Sequence, residues 1–196
     1  MKRAFIIGNG TSREGFHLDN LRGETIYSCG IAHRGFTRPI QPTWHVTVEK
    51  YRQDMLIMED GINPDVIRFP VDLEEHHELP EYHPGTHDPH QRPRNNAGMY
   101  AMTCAIRDGY TDLYILGFDS LILDNKDKAV SNMFTGRPET RTRFEDNANR
   151  ARYLNWFMDH NVLCHFTYMF DTEHDFYPLR GGNVGIIDYE YLLDNM

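Results

Sequence analysis

Three features of the sequence point to an α/β protein, a single Rossmann-like domain built on a mostly parallel sheet with helices on both faces. Short apolar runs of strand length alternate with stretches of helical spacing. Two of those runs, Ala4–Ile7 and Asp112–Leu116, stop on glycine loops, Gly8-Asn9-Gly10 and Gly117-Phe118-Asp119. The 196 residues, 40 % of them hydrophobic, supply one full-sized core and are short for two.

The elements follow in chain order. Ala4–Ile7 reads as a buried strand, and Thr25–Cys29 (TIYSC) as a second. Trp44–Val48 is a third, and Lys50–Met58 a short helix. Val66–Phe69 is a fourth strand, bounded by Pro64 and Pro70. Residues 72–96 carry His, Pro and acidic residues without periodicity, which predicts a long mobile loop over a site. Met99, Met102 and Ile106, with Ala101 and Ala105 between them, recur at helical spacing and end at Gly109, a C-cap. Asp112–Leu116 (DLYIL) is the next strand, and residues 121–142 form a second long polar loop. Phe144–His160 fits an amphipathic helix with Ala148, Ala151, Leu154 and Phe157 or Met158 on one side. Val162–Phe166 (VLCHF) is the last strand expected. The tail from Asp171 reads as irregular, with one or two helical turns over Asp188–Leu193. No internal repeat is present.

Charge and cysteine usage narrow the function classes. The formal net charge of -9 argues against a binder of bulk nucleic acid, which needs a basic face. A small phosphorylated ligand stays compatible, because a backbone nest and one or two arginines suffice for it. No apolar run approaches the about 18 residues of a membrane span. Gly8-Asn9-Gly10 also interrupts the apolar start that a signal peptide would need. The expectation is a cytoplasmic protein. Cys29, Cys104 and Cys164 are odd in number, far apart and without a CxxC pair, so reduced thiols are expected. A homo-oligomer is compatible with this composition.

The opening loop is the first candidate site. In open α/β sheets, ligands bind beyond the carboxyl ends of the strands, where Asn9, Gly10, Thr11 and Ser12 lie. The glycines permit close approach, and successive N–H groups can face an anion. Thr11 or Ser12 would cap a following short helix. The dinucleotide fingerprint is missing: position 13 is Arg and Gly15 is out of register. No P-loop lysine is present either. A turn without a ligand is the alternative. A second site is Asn95-Asn96-Ala97-Gly98, where Asn96 as N-cap exposes free N–H groups and Ala97 and Gly98 let a flat base or sugar approach.

Three motifs carry a resemblance: the Gly8-Asn9-Gly10-Thr11-Ser12 loop, the small-residue Gly98 motif opening a helix, and the strand pattern from Gly109 to Asp119. Together they resemble the bacterial CMP-sialic acid-dependent sialyltransferases and a wider set of GNG-loop proteins. That set includes a family that pyrophosphorylates a pterin alcohol. The match covers Ala4–Gly30, Trp44–Glu49 and Arg94–Ser120. It implies a glycosyltransferase-like enzyme that binds a nucleotide-activated sugar as co-substrate and transfers the sugar to an acceptor hydroxyl, with no further cofactor. Asn9 and Gly10 would meet the phosphate and ribose side of the nucleotide. Cys29 and Gly30 stand where the family has an Arg-Cys-Asn motif, and Glu49 where it has a nucleotide-binding Asn. Asn96-Ala97-Gly98 replaces a Thr-Ser-Gly that binds cytidine and ribose. The family's lid tyrosines have no counterpart between residues 121 and 142, and Arg143 falls near its general-base histidine. Similar small proteins occur in bacteriophage genomes, so the acceptor is undefined.

Other residues complete the candidate set. His76, His77, His83, His87 and His90 lack the spacing and the cysteines of a zinc site, so no metal site is expected there. His87 and His90 are candidate general bases, since imidazole titrates near neutrality and their loop leads into Asn95–Gly98. Glu49 and Asp119 each end a strand, where a carboxylate holds a hydroxyl, a metal or a loop cap. Arg143, among Arg137, Arg141 and Arg150, would neutralise a leaving phosphate, or pair on the surface with Glu139, Glu145 and Asp146. Two rival functions stand beside the transferase. One is a pyrophosphokinase-like phosphotransferase, which needs Mg²⁺ and carboxylates such as Glu49 and Asp119. The other is a non-catalytic nucleotide-binding protein.

Overall fold

The computed structural model of the chain describes residues 2–30, 32–35, 42–47, 50–68, 97–119, 122, 154–170, 179 and 181–195. Seven strands form one sheet: β1 (Arg3–Ile7), β2 (Ile26–Cys29), β3 (Trp44–Val46), β4 (Ile67–Arg68), β5 (Asp112–Leu116), β6 (His165–Phe170) and β7 (Val184–Asp188). Every pairing is parallel, and the order is β4-β3-β2-β1-β5-β6-β7. The helices are α1 (Lys50–Met58), α2 (Ala97–Arg107), α3 (residues 154–160) and α4 (Tyr189–Asp194). The Rossmann-like α/β architecture expected from the sequence is the architecture found.

β1 is the central strand because it is apolar on both sides. Ala4 and Ile6 face a core shared with Met99, Met102 and Cys104 of α2 and Leu154, Phe157 and Met158 of α3. Phe5 and Ile7 face the opposite core, with Phe16, Leu18 and Leu21 from the first crossover and Tyr189 and Leu192 of α4. The alternation follows from the two-residue period of a strand, and covering both faces is what a parallel sheet requires.

α2 ends as its sequence predicts. Tyr110 N–H donates to Ala105 O at 3.0 Å and Gly109 N–H to Ile106 O at 2.9 Å, with Gly109 at φ +83°. These two bonds close a Schellman motif, which needs a residue that accepts a left-handed backbone. At this end Thr111 N–H meets Lys2 O (3.0 Å), at the amino edge of the sheet. α2 therefore runs antiparallel to the strands and opens at their carboxyl edge.

Several strands differ from the sequence expectation. The last predicted strand, Val162–Phe166, begins only at His165. Residues 161–164 instead close the turn after α3: Asn161 N–H donates to Met158 O (3.1 Å) and Cys164 N–H to Asn161 O (2.9 Å), leaving Val162 69 % and Leu163 85 % exposed. The tail expected to be irregular holds β7, paired with β6 from Phe166↔Val184 to Phe170↔Asp188. Gly181, Gly182 and Gly185 dilute its strand signal, and its half-exposed edge position needs no continuous apolar run. β3 ends at Val46, and β4 is described over Ile67–Arg68, Val66 belonging to the preceding 3-10 turn and Phe69 lying outside the described residues. The final turns occur as expected: α4 is capped by Asp188, whose carboxylate accepts from Tyr191 N–H at 2.6 Å.

Candidate functional site

The strand order reverses between β1 and β5, with β2 to β4 on one side and β6 and β7 on the other. A doubly wound sheet opens a crevice at such a point, beyond the carboxyl ends of the two strands. The loops Gly8-Asn9-Gly10 and Gly117-Phe118-Asp119 lie side by side there. The ladder runs on into them, Gly8 N–H donating to Leu116 O (2.8 Å) and Gly10 N–H to Gly117 O (3.0 Å).

The glycines serve this contact first. A Cβ on Gly8 would lie 2.5 Å from Gly117 O, and one on Gly117, at φ +72°, 2.9 Å from Gly8 O. A Cβ on Gly10 would fall 2.1 Å from Asp119 Oδ1. The space beside Gly10 that the sequence suggested for a ligand is thus filled by an internal carboxylate.

Asp119 is buried and accepts from Ser12 N–H at 3.1 Å, from Thr11 Oγ1 at 3.3 Å and from Ser12 Oγ. The short 3-10 turn Thr11–Arg13 has Gly10 at its N-cap, without a side-chain cap of its own. Neither Thr11 nor Ser12 caps it as predicted. Both lie inside the turn, and Asp119 reaches across from the neighbouring loop to bind its hydroxyls and an amide. A carboxylate here fits the same preference for negative charge that a phosphate would.

Beneath the loops lies Arg13, only 1 % exposed. Its Nε donates to Gly8 O at 2.7 Å. Burial pulls its pKa below the usual guanidinium value, and Tyr189, Cys29 and Asp119 oppose that. The Tyr189 hydroxyl, at the start of α4, shares its one proton between Ser12 O (3.3 Å) and Met169 O (3.2 Å), and the ring stacks on Phe16 at 4.7 Å. The chain's last helix therefore anchors its first loop.

The β2 side of the crevice holds Cys29, Gly30 and Asn9. Cys29 Sγ donates to Ile7 O at 3.2 Å, and burial pushes the thiol up to about 12. This thiol is a packed, protonated donor, unsuited to nucleophilic attack. Gly30 turns the chain at φ +63°, and a Cβ there would meet Asn9 Nδ2 at 2.4 Å. Asn9 Oδ1 is buried and has no hydrogen-bond partner among the described residues. Behind Gly30 stands His45, fully buried on β3, with Nδ1 2.7 Å from Ser28 Oγ and Nε2 3.0 Å from Gly30 O.

The structure thus joins Asn9, Gly10, Thr11, Ser12, Cys29, Gly30 and Asp119 at the carboxyl ends of β1, β2 and β5. Ala97 and Gly98 begin α2, which opens at the same edge of the sheet with its positive dipole end toward it. Glu49, His87, His90, Asn95, Asn96 and Arg143 lie outside the described residues, as do the loops predicted over 72–96 and 121–142, Ile122 apart. Arg13, Ser28, His45 and Tyr189 escaped the sequence reading. The only local signal was a pair of polar residues, Ser28 and His45, inside otherwise apolar strands. Among the described residues no three His, Cys, Asp or Glu side chains gather as a metal site would require, and no helix is long and apolar enough to cross a membrane.

Comparison with known proteins finds no matching family model, no matching curated protein and no matching solved structure.

Proposed function

We propose that the chain is a glycosyltransferase-like enzyme that binds a nucleotide-activated sugar in the crevice between β1 and β5 and passes the sugar to an acceptor hydroxyl. The observation that carries the reading is the Asn9 carboxamide. Its Oδ1 is a buried acceptor with no partner among the described residues, placed where α/β sheets bind ligands. Leaving such a group unpaired costs about 1–3 kcal/mol, which a ligand's hydroxyl or amine would recover. The donors of Thr11 and Ser12 already serve Asp119. The sequence expectation put the phosphates on Asn9 and Gly10 and the base or ribose at Asn96–Gly98. With Asp119 filling the space beside Gly10, the proposal reverses this, assigning the ribose or base to Asn9 and the phosphates to the amides that open α2 at Ala97 and Gly98. The motif resemblance supplies the reaction. Catalysis would rest on positioning and stabilisation of the leaving nucleotide, with a base drawn from His87, His90 or Glu49 and with Arg143 on the phosphate. The engagement of both Asp119 oxygens counts against the Mg²⁺-dependent phosphotransferase, which needs that carboxylate for its cation.

Calorimetry with CMP, UMP and GMP tests the site. One of them is expected to bind, with an affinity that Mg²⁺ leaves unchanged. Asn9→Ala should weaken binding by about 1–2 kcal/mol, the usual cost of a lost hydrogen bond. Unchanged binding in that variant would reduce the loop to a turn. Slow hydrolysis of the matching nucleotide sugar is the expected sign of transferase chemistry. A donor that binds and stays intact would leave a nucleotide-binding protein.

A further inference from the structure

We infer that His45 is a positioning residue for the crevice, holding the Asn9 carboxamide in place through Gly30; this rests on the reading of Asn9 as a ligand contact. A fully buried imidazole in a short inner strand is costly unless its nitrogens are paired, and an aliphatic side chain would fill the place without that requirement. Both nitrogens of His45 face polar atoms of β2 and the loop beyond it. Gly30 O can only accept, so the proton on Nε2 points to it, and in the neutral ring Nδ1 accepts from the Ser28 hydroxyl. Ser28 stands directly opposite His45 in the β2–β3 register, which fixes the ring plane. The ring then reaches past Cys29, the last residue of β2, to the carbonyl that follows.

That carbonyl belongs to the residue that reverses the chain. Gly30 sits at φ +63°, and its Cα face lies against Asn9, where even a methyl group would come to 2.4 Å from Nδ2. The contacts form a relay across three adjacent strands: β3 holds β2's loop, and β2's loop holds β1's loop. Freed from His45, the Gly30 peptide could rotate, and the Asn9 side chain would lose the wall that fixes it.

The test uses the full chain with His45→Leu, which removes both hydrogen bonds, and His45→Gln, which keeps an N–H near Nε2. Melting curves first establish a temperature at which each variant is folded. In the ligand-free protein, the Asn9 side-chain amide resonances, assigned with Asn9→Ala, should shift in His45→Leu and return toward wild type in His45→Gln. With the nucleotide that binds best, His45→Leu should lose about fivefold in affinity, the equivalent of one ordinary hydrogen bond, and His45→Gln should recover it. In the Asn9→Ala background, His45→Leu should cost nothing further, since its effect runs through Asn9. Unmoved amide resonances, or an affinity loss that adds fully to that of Asn9→Ala, would overturn the inference. Shifted resonances in a protein that binds none of CMP, UMP and GMP would instead leave the brace standing and remove the ligand reading. If His45→Leu does not fold, Ser28→Ala carries the same measurements, because it frees the ring at Nδ1.

Discussion

At Asp119, one carboxylate sets the shape of the first loop. Its bonds to Thr11 and Ser12 join two loops that are 107 residues apart in the chain at the Ser12–Asp119 contact. Asp119→Asn keeps the volume but removes the charge and replaces one of the two acceptor oxygens with an amine donor. It should cost about 1.5–3 kcal/mol in urea unfolding, the range for a buried hydrogen bond to a charged group. Cys29 gives a pH signature at the same scale. Burial disfavours the thiolate and pushes this thiol up to about 12 in the fold, well above the ordinary thiol value it keeps in the unfolded chain. The unfolded chain therefore releases this proton first as pH rises. The stability it contributes is complete below the unfolded value and is lost through the window up to the folded one. Inside that window wild type should lose about 1.4 kcal/mol per pH unit more than Cys29→Ala, read from urea midpoints of both proteins at matched pH. Equal slopes would mean that the thiol is not held protonated.

The elements were legible in proportion to how local their signals are. α2 announced itself through Met99, Met102 and Ile106 and through Gly109, because a helix and its Schellman cap are made within a dozen consecutive residues. Gly109→Ala tests that cap. A Cβ there meets nothing within 4 Å, so the penalty is purely the left-handed backbone, about 1–2 kcal/mol in chemical denaturation. Gly8→Ala should cost clearly more, since its Cβ strikes the Gly117 carbonyl. β7 was illegible for the opposite reason. Its pairing partner is β6, its sequence is diluted by glycine, and only the neighbouring strand makes it extended.

Across the whole molecule, β1 and β5 carry the two cores and also aim the crevice. Ile6 is fully buried between β2 and β5 and packs under α2, whereas Ile186 on the edge strand is 43 % exposed. Ile6→Ala should therefore destabilise the domain by about 2–5 kcal/mol. Ile186→Ala should stay within about 0.5 kcal/mol in the same urea titration. Similar losses for the two would mean that β7 is not the edge. From Ala4–Ile7, Asp112–Leu116 and the α2 spacing alone came the α/β class, the parallel habit and the placing of Asn9 and Asp119 at strand ends, since each is a matter of two- or 3.6-residue periodicity. The order β4-β3-β2-β1-β5-β6-β7 came only with the folded chain. That order is what set Asp119 on Ser12, sank Arg13 beneath Gly8 and brought His45 to Gly30. Periodicity reports which face a residue takes within its own segment. Which segments become neighbours depends on burying both faces of the sheet at once, and no local pattern encodes that.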